Sequence, residues 1–249
     1  MNHEKLLQLL GEVDDRHIEE SMVIGRRPYQ RLKWGAGVVL AVAAGFMLFT
    51  SNIWNERIPL STDSTANSVH IIDESEIRQG TSQENLMDMT EDELFSRWNP
   101  VVVKGTVENI RHIEIDFNGE LEYQSLLTIQ VSDVYHGDVQ TGQELVVRAD
   151  AIGRAEQEEH TDVISHVHQG MEGIFMPIPY DDEFIWEQNG ETLRLKDIAD
   201  YGFPDGERYL FLDTPSGLLF ERDAYPSLQD MNSLDEIERW MSSKFREVE

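Results

Sequence analysis

Apolar positions along this chain change their spacing several times, and each change marks an element. From Trp34 to Asn55 no charged side chain occurs in 22 positions, and the centre reads WGAGVVLAVAAGFMLFT. A helix needs ~20 mostly apolar residues to cross a bilayer, so one transmembrane helix is predicted over 34–55. Ahead of it, Leu6, Leu7, Leu9 and Leu10 form an apolar patch that Gly11 interrupts. Residues 2–21 therefore read as a short amphipathic helix or helix pair within a leader over 1–33. Residues 56–89 show little periodicity and contain PLSTDSTANSVH, which reads as a linker.

From residue 90 the spacing is that of a folded unit running to 249. Thr90 and Glu93 fit a capping box ahead of Leu94, Phe95 and Trp98, and Pro100 closes that helix. Alternation at period two then takes over from Val101. Asn118–Gly119 is a tight-turn signal between VENIRHIEIDF and LEYQSLLTIQVSDVY. Leu127, Ile129 and Val131 share one face of the returning strand, and ELVVRA is a third strand beyond Gly137 and Gly142. EGIFMPIP and DEFIWEQ read as strands around Asp181–Asp182, with Pro177 and Pro179 arguing for edge positions. Asn189–Gly190 is a further turn. GERYLFLDT and GLLFERD predict a hairpin across 214–217. Ser233 and Glu236 fit a second capping box, followed by the helical stripe Leu234, Ile237, Trp240, Met241 and Phe245. The expected fold class is mainly β: a small OB-like barrel, preferred to a β-sandwich, with flanking helices and one N-terminal transmembrane helix.

Charge orients the chain and restricts its partners. Arg26, Arg27, Arg31 and Lys33 precede the apolar run, while Glu56, Arg57 and Asp63 follow it. That basic bias places the N-terminus in the cytoplasm and the C-terminal part outside the cell membrane. Trp34 and Trp54 stand at headgroup level. A cleaved signal peptide fits less well, because about thirty residues with six acids precede the run and signal peptides carry their basic region at the start. A buried core helix is the other competing reading. The formal net charge is −28. Residues 1–33 hold six acids and six bases, so the whole excess lies in 56–249, with 42 acids against 14 bases. Such a domain repels nucleic acid and anionic lipid. There is no cysteine, which excludes disulfides, thiol nucleophiles and Cys-ligated zinc.

The pieces VVVKGTV (101–107), TIQVSDVYHGDVQTGQELVV (128–147) and GERYLFLDT (206–214) carry a resemblance. They resemble an extracytoplasmic domain found in single-pass membrane proteins of Gram-positive bacteria. In that pattern a valine strand ends in Gly-Thr-Val, a later strand leads to a tyrosine and a Gly-Asp turn, and a Gly-Glu-x-Tyr-Leu-x-Phe-Leu strand completes the core. The resemblance covers about residues 98–220 and implies a fold more than an activity. A lysine usually stands where this chain has His136. The inner segment LLQLLGEVDDRHIEES is similar to short leaders in such proteins, some of them associated with extracytoplasmic sigma factors. The Cys-containing zinc motif of an anti-sigma domain is missing: His3 and His17 stand alone.

The densest set of metal-ligand residue types is Glu158, Glu159, His160, Asp162, His166 and His168. Were 165–169 extended, His166 and His168 would share a face. His160, Asp162, His166 and His168 are therefore the metal candidates, set against the reading of an exposed loop. Tyr123, Tyr135, Trp186 and Tyr209 are candidates for a ligand face, with core packing as the competing reading. HExxH, GxSxG and the phosphate-cradling glycine patterns are missing, so no catalytic residue and no cofactor is predicted. The expected function is a membrane-anchored, non-enzymatic extracytoplasmic protein engaged in sensing or envelope regulation. Its expected partners are the lipid bilayer and a membrane or cytoplasmic protein. The alternatives are a solute- or cation-binding module and a hydrolase.

Overall fold

A two-residue turn organises the molecule. Asn118 (φ 54°) and Gly119 (φ 92°) both take left-handed backbone, which is what a type I′ hairpin demands. The Asp116 carboxylate fixes the turn by accepting from the Gly119 amide at 2.6 Å. The turn joins β2 (Val102–Phe117) to β3 (Glu120–His136), the two longest strands. The computed structural model describes residues 56–78, 87–152 and 163–246. The leader and the apolar run 34–55 lie outside them. Among the described residues no helix is long and apolar enough to cross a membrane.

The described chain is mainly β. Ahead of the hairpin come β1 (Ser68–Ile72) and the short helix α1 (Glu91–Ser96). After it follow β4 (Glu144–Asp150), β5 (Glu172–Phe175), β6 (Ile178–Pro179), β7 (Ile185–Gln188) and β8 (Glu191–Arg194). Then come β9 (Tyr201–Gly202), β10 (Leu210–Thr214), β11 (Gly217–Leu219) and the closing helix α2 (Leu234–Arg246). The large sheet has the order β11-β10-β5-β2-β3-β4-β9-β6, with β1 alongside the far half of β2. Most pairs are antiparallel, whereas β9 runs parallel to β4 (Val147↔Tyr201). β7 and β8 form a separate hairpin whose turn, Asn189–Gly190, again has positive φ at both residues.

The sheet curls into a half barrel. Register shifts in the β2–β3 pair at Val102/Val103, Lys104/Gly105 and Val107/Asn109 bend the strands. Gly105 sits at one of these shifts: a Cβ there would lie 2.6 Å from the Gln130 carbonyl oxygen and 2.8 Å from the Ile129 side chain. Only glycine lets the two strands approach so closely.

The long hairpin serves two apolar clusters. Near its open end Val103, Val107, Leu127, Ile129 and Val131 pack with Phe175, Phe211, Ile237 and Met241. Near its tip Ile113, Ile115 and Phe117 pack with Val69, Ile71, Leu193 and Ile198. Both helices cover the first cluster. α1 starts with the expected capping box, Thr90 and Glu93 each satisfying the other's backbone amide, and buries Leu94 and Phe95. At α2 the Glu236 carboxylate accepts from the Asn232 and Ser233 amides at 2.7 and 3.2 Å. Lys104 reaches Glu238 on α2 at 2.6 Å.

The expected linker differs from what is observed. Ser68–Ile72 is a strand paired with Asp116–His112. Upstream of it, Thr65 and Ala66 donate their amides to the Thr192 carbonyl. Ser61 and Ser64 hydroxyls both reach Asp197 Oδ2 at 2.7 Å. Burial pushes the Asp197 carboxyl upward, but hydrogen bonds from Ser64 and Ser61 outweigh it and hold it below the usual carboxylate range. A Ser/Thr-rich stretch is here an edge of the fold, with only Val69 and Ile71 turned inward in β1.

Candidate functional site

One cleft, of about 410 Å³, combines aromatic walls with fixed polar groups. Its aromatic side chains are Trp98 from the end of α1, Tyr180 and Phe184 flanking the acidic turn, and Phe203 just after β9. Met87, Ile178, Leu195 and Pro204 complete the apolar surface, and Arg148, Asp205 and Arg208 supply the charge. The volume is that of a small-molecule site.

Each charged group is held by its neighbours. Arg148 projects from β4. Its Nε donates to the Tyr180 hydroxyl at 2.8 Å and its Nη1 to Gln124 Oε1 at 2.6 Å. The Trp186 ring lies 5.9 Å from the guanidinium carbon. Tyr180 is placed by Gly202, because a Cβ on Gly202 would fall 1.7 Å from the tyrosine hydroxyl. A glycine in β9 is thus the condition for the ring to lie across that strand. Tyr180 also packs on Phe184, with ring centroids 5.1 Å apart.

Arg208 and Asp205 form the second fixed group. Nε and Nη2 of Arg208 meet Asp205 Oδ2 at 3.0 and 2.8 Å, while Nη1 donates to the Met87 carbonyl at 2.8 Å. Asp205 Oδ1 accepts the backbone amides of Glu207 and Arg208. The carbonyl of Arg208 accepts the Tyr225 hydroxyl. Tyr225 is buried, and burial raises its phenol far above the ordinary value.

The expected ligand-face aromatics lie elsewhere. Tyr209 is fully buried beside Trp98, and its hydroxyl has no hydrogen-bond partner among the described residues. Burial raises its phenol. Tyr123 hydrogen-bonds to Glu114, and Trp186 packs on Phe117. Tyr135 is half-buried, its phenol raised by desolvation and by Glu238.

Of the metal candidates, His160 and Asp162 lie outside the described residues. Val163–His166 is a 3-10 turn rather than an extended segment, with the Val167 amide on the Ile164 carbonyl. The geometry assumed for a shared His166 and His168 face is therefore replaced. Both side chains are nonetheless exposed. They line one groove of about 560 Å³ with Thr214, Ser216 and Leu218. His168 Nδ1 donates to the Gln169 carbonyl at 3.0 Å. Among the described residues no three His, Asp or Glu side chains converge as a metal site.

A serine and a histidine that lie far apart in the hairpin's sequence do meet. His112 Nδ1 lies 3.1 Å from Ser125 Oγ. That hydroxyl also accepts the Ile152 amide at 2.8 Å. Ser125 is completely buried, which fits a clamp tying the chain after β4 back to the hairpin rather than a nucleophile. No family model, no curated protein and no solved structure matches this chain.

Proposed function

We propose that this chain is a membrane-anchored, non-enzymatic protein whose outward β-domain binds a solute in the aromatic cleft and serves sensing or envelope regulation. The reading extends to a single-pass protein of the Gram-positive type, with the N-terminus cytoplasmic and the leader meeting a membrane or cytoplasmic partner. The supporting observation is the cleft itself: its polar groups are held by one another before any ligand arrives, which lowers the ordering cost of binding. The domain is read as an OB-like barrel. In support, the chain from β9 to β10 bridges β4 and β5, the strands on either side of the β2–β3 pair. The anchor rests on the uncharged run 34–55 and the basic residues before it.

The test uses the full chain in intact cells. Protease added outside is expected to remove the acidic C-terminal part and leave the leader protected. A protein that remains in the soluble fraction after lysis overturns the anchor. Pull-down of the full chain against a 22–249 truncation tests the leader: identical partners from both would remove it as the contact.

A further inference from the structure

The groove beside the β10–β11 turn gathers two imidazoles and a thioether: His166, His168 and Met171 all line it. A β-turn places two of the three. The Met171 amide donates to the His168 carbonyl at 3.1 Å, and Gly170 between them takes φ 85°. Such a turn holds the Cα atoms of its end residues within ~7 Å. Val107 of β2 pins the turn from both sides. Its carbonyl accepts the Gly170 amide at 2.7 Å, and its amide donates to the Met171 carbonyl at 2.9 Å. His166 ends the preceding 3-10 turn and lines the same groove.

His168 already has the hydrogen bonding of a metal ligand. Its Nδ1 donates to the Gln169 carbonyl at 3.0 Å. A carbonyl only accepts, so the proton of the neutral ring sits on Nδ1 and Nε2 keeps its lone pair. Histidines that bind metals nearly always commit their other ring nitrogen in this way. Met171 is 4% exposed and still lines the groove, so it belongs to the groove's base.

Donor chemistry selects the ion. Calcium and magnesium take oxygen ligands, carboxylates foremost, and no carboxylate is among the described residues that line the groove. The Thr214 hydroxyl is committed to the Gly217 carbonyl at 2.6 Å. Zinc sites draw on cysteine, histidine and carboxylate, and two histidines alone leave such a site short of ligands. Imidazole joined to a thioether is the soft set that copper(I) favours. The chain has no cysteine to compete for that ion. Its acidic excess, 42 acids against 14 bases over 56–249, raises the local concentration of any cation. We infer that His166, His168 and Met171 form a copper(I)-binding site in this groove. The site is separate from the aromatic cleft and does not depend on the binding role of that cleft.

The experiment titrates the full chain, in nanodiscs of zwitterionic lipid, with copper(I) kept reduced by ascorbate and held in competition with a bicinchoninate indicator. Each variant is read as its difference from the wild type, so copper held elsewhere on the chain cancels. His166→Ala, His168→Ala and Met171→Leu are each expected to weaken the site about tenfold or more. The histidines are exposed, and leucine keeps the volume of the buried methionine; near-UV circular dichroism checks that every variant is folded. X-ray absorption at the copper edge is expected to show a sulfur neighbour that Met171→Leu removes. Equimolar zinc is expected to leave the bound copper in place. Unchanged affinity in His168→Ala and His166→Ala overturns the site. A copper–sulfur signal that survives Met171→Leu overturns the ligand set, and displacement by zinc overturns the choice of ion.

Discussion

Replacing Asp205 with alanine isolates the groups that hold the cleft open. The Asp205 carboxylate accepts four hydrogen bonds: two from the amides of Glu207 and Arg208, and two from the Arg208 guanidinium. The side chains of Arg208 and Asp205 keep only 10% and 4% of their exposure. Removing one partner of a buried ion pair leaves an uncompensated charge and costs about 3–5 kcal/mol. Asp205→Asn retains an acceptor for the two amides but gives up the charge, so its cost falls below that of alanine. The double variant Asp205→Ala/Arg208→Met removes the stranded cation and is expected to regain half or more of the loss. The assay is urea unfolding of the full chain, followed by near-UV circular dichroism. A cost under about 1 kcal/mol for Asp205→Ala, or additive losses in the double variant, would refute the claim that a buried pair stabilises this corner.

Gly202→Ala is expected to cost about 1–3 kcal/mol, because the new methyl meets the Tyr180 ring; in a Tyr180→Ala background the same change is nearly neutral, and equal costs in both would disprove the contact. Gly105→Ala is expected to cost a similar ~1–3 kcal/mol by forcing β2 away from the Gln130 carbonyl, measured as a shifted urea midpoint at constant slope. Burial holds the His112 imidazole below its ordinary 6.5, against the opposing pull of Glu74 and Asp73. The unfolded chain therefore takes up that proton first, and stability is lost as pH falls from 6.5 toward the lower folded value. Compared with His112→Gln, the wild type is expected to lose stability between pH 7.5 and 5.5, and parallel pH curves would contradict the assignment.

Local chemistry was legible in the sequence, and long-range assembly was not. Asn118–Gly119 and Thr90–Glu93 announce their turn and cap within four residues, because the backbone conformation they impose depends on nothing distant. β1 was hidden because two inward residues in five look like noise, and because the serines before it serve as donors to Asp197 rather than as solvent-facing linker. The cleft draws Trp98, Arg148, Tyr180 and Arg208 from segments far apart in the chain. The one local hint is the pair Tyr180 and Phe184 across an acidic turn. The expectation for His166 and His168 assumed extended backbone, and the 3-10 turn at Val163–His166 set the spacing differently.

The strands β2 and β3 each contribute to both apolar clusters, one near the open end and one near the tip. Neither cluster can dissolve without withdrawing support from the same pair of ribbons. Denaturation of this unit should thus proceed in one cooperative step, and a proteolytic nick within the hairpin should be felt from one end of it to the other.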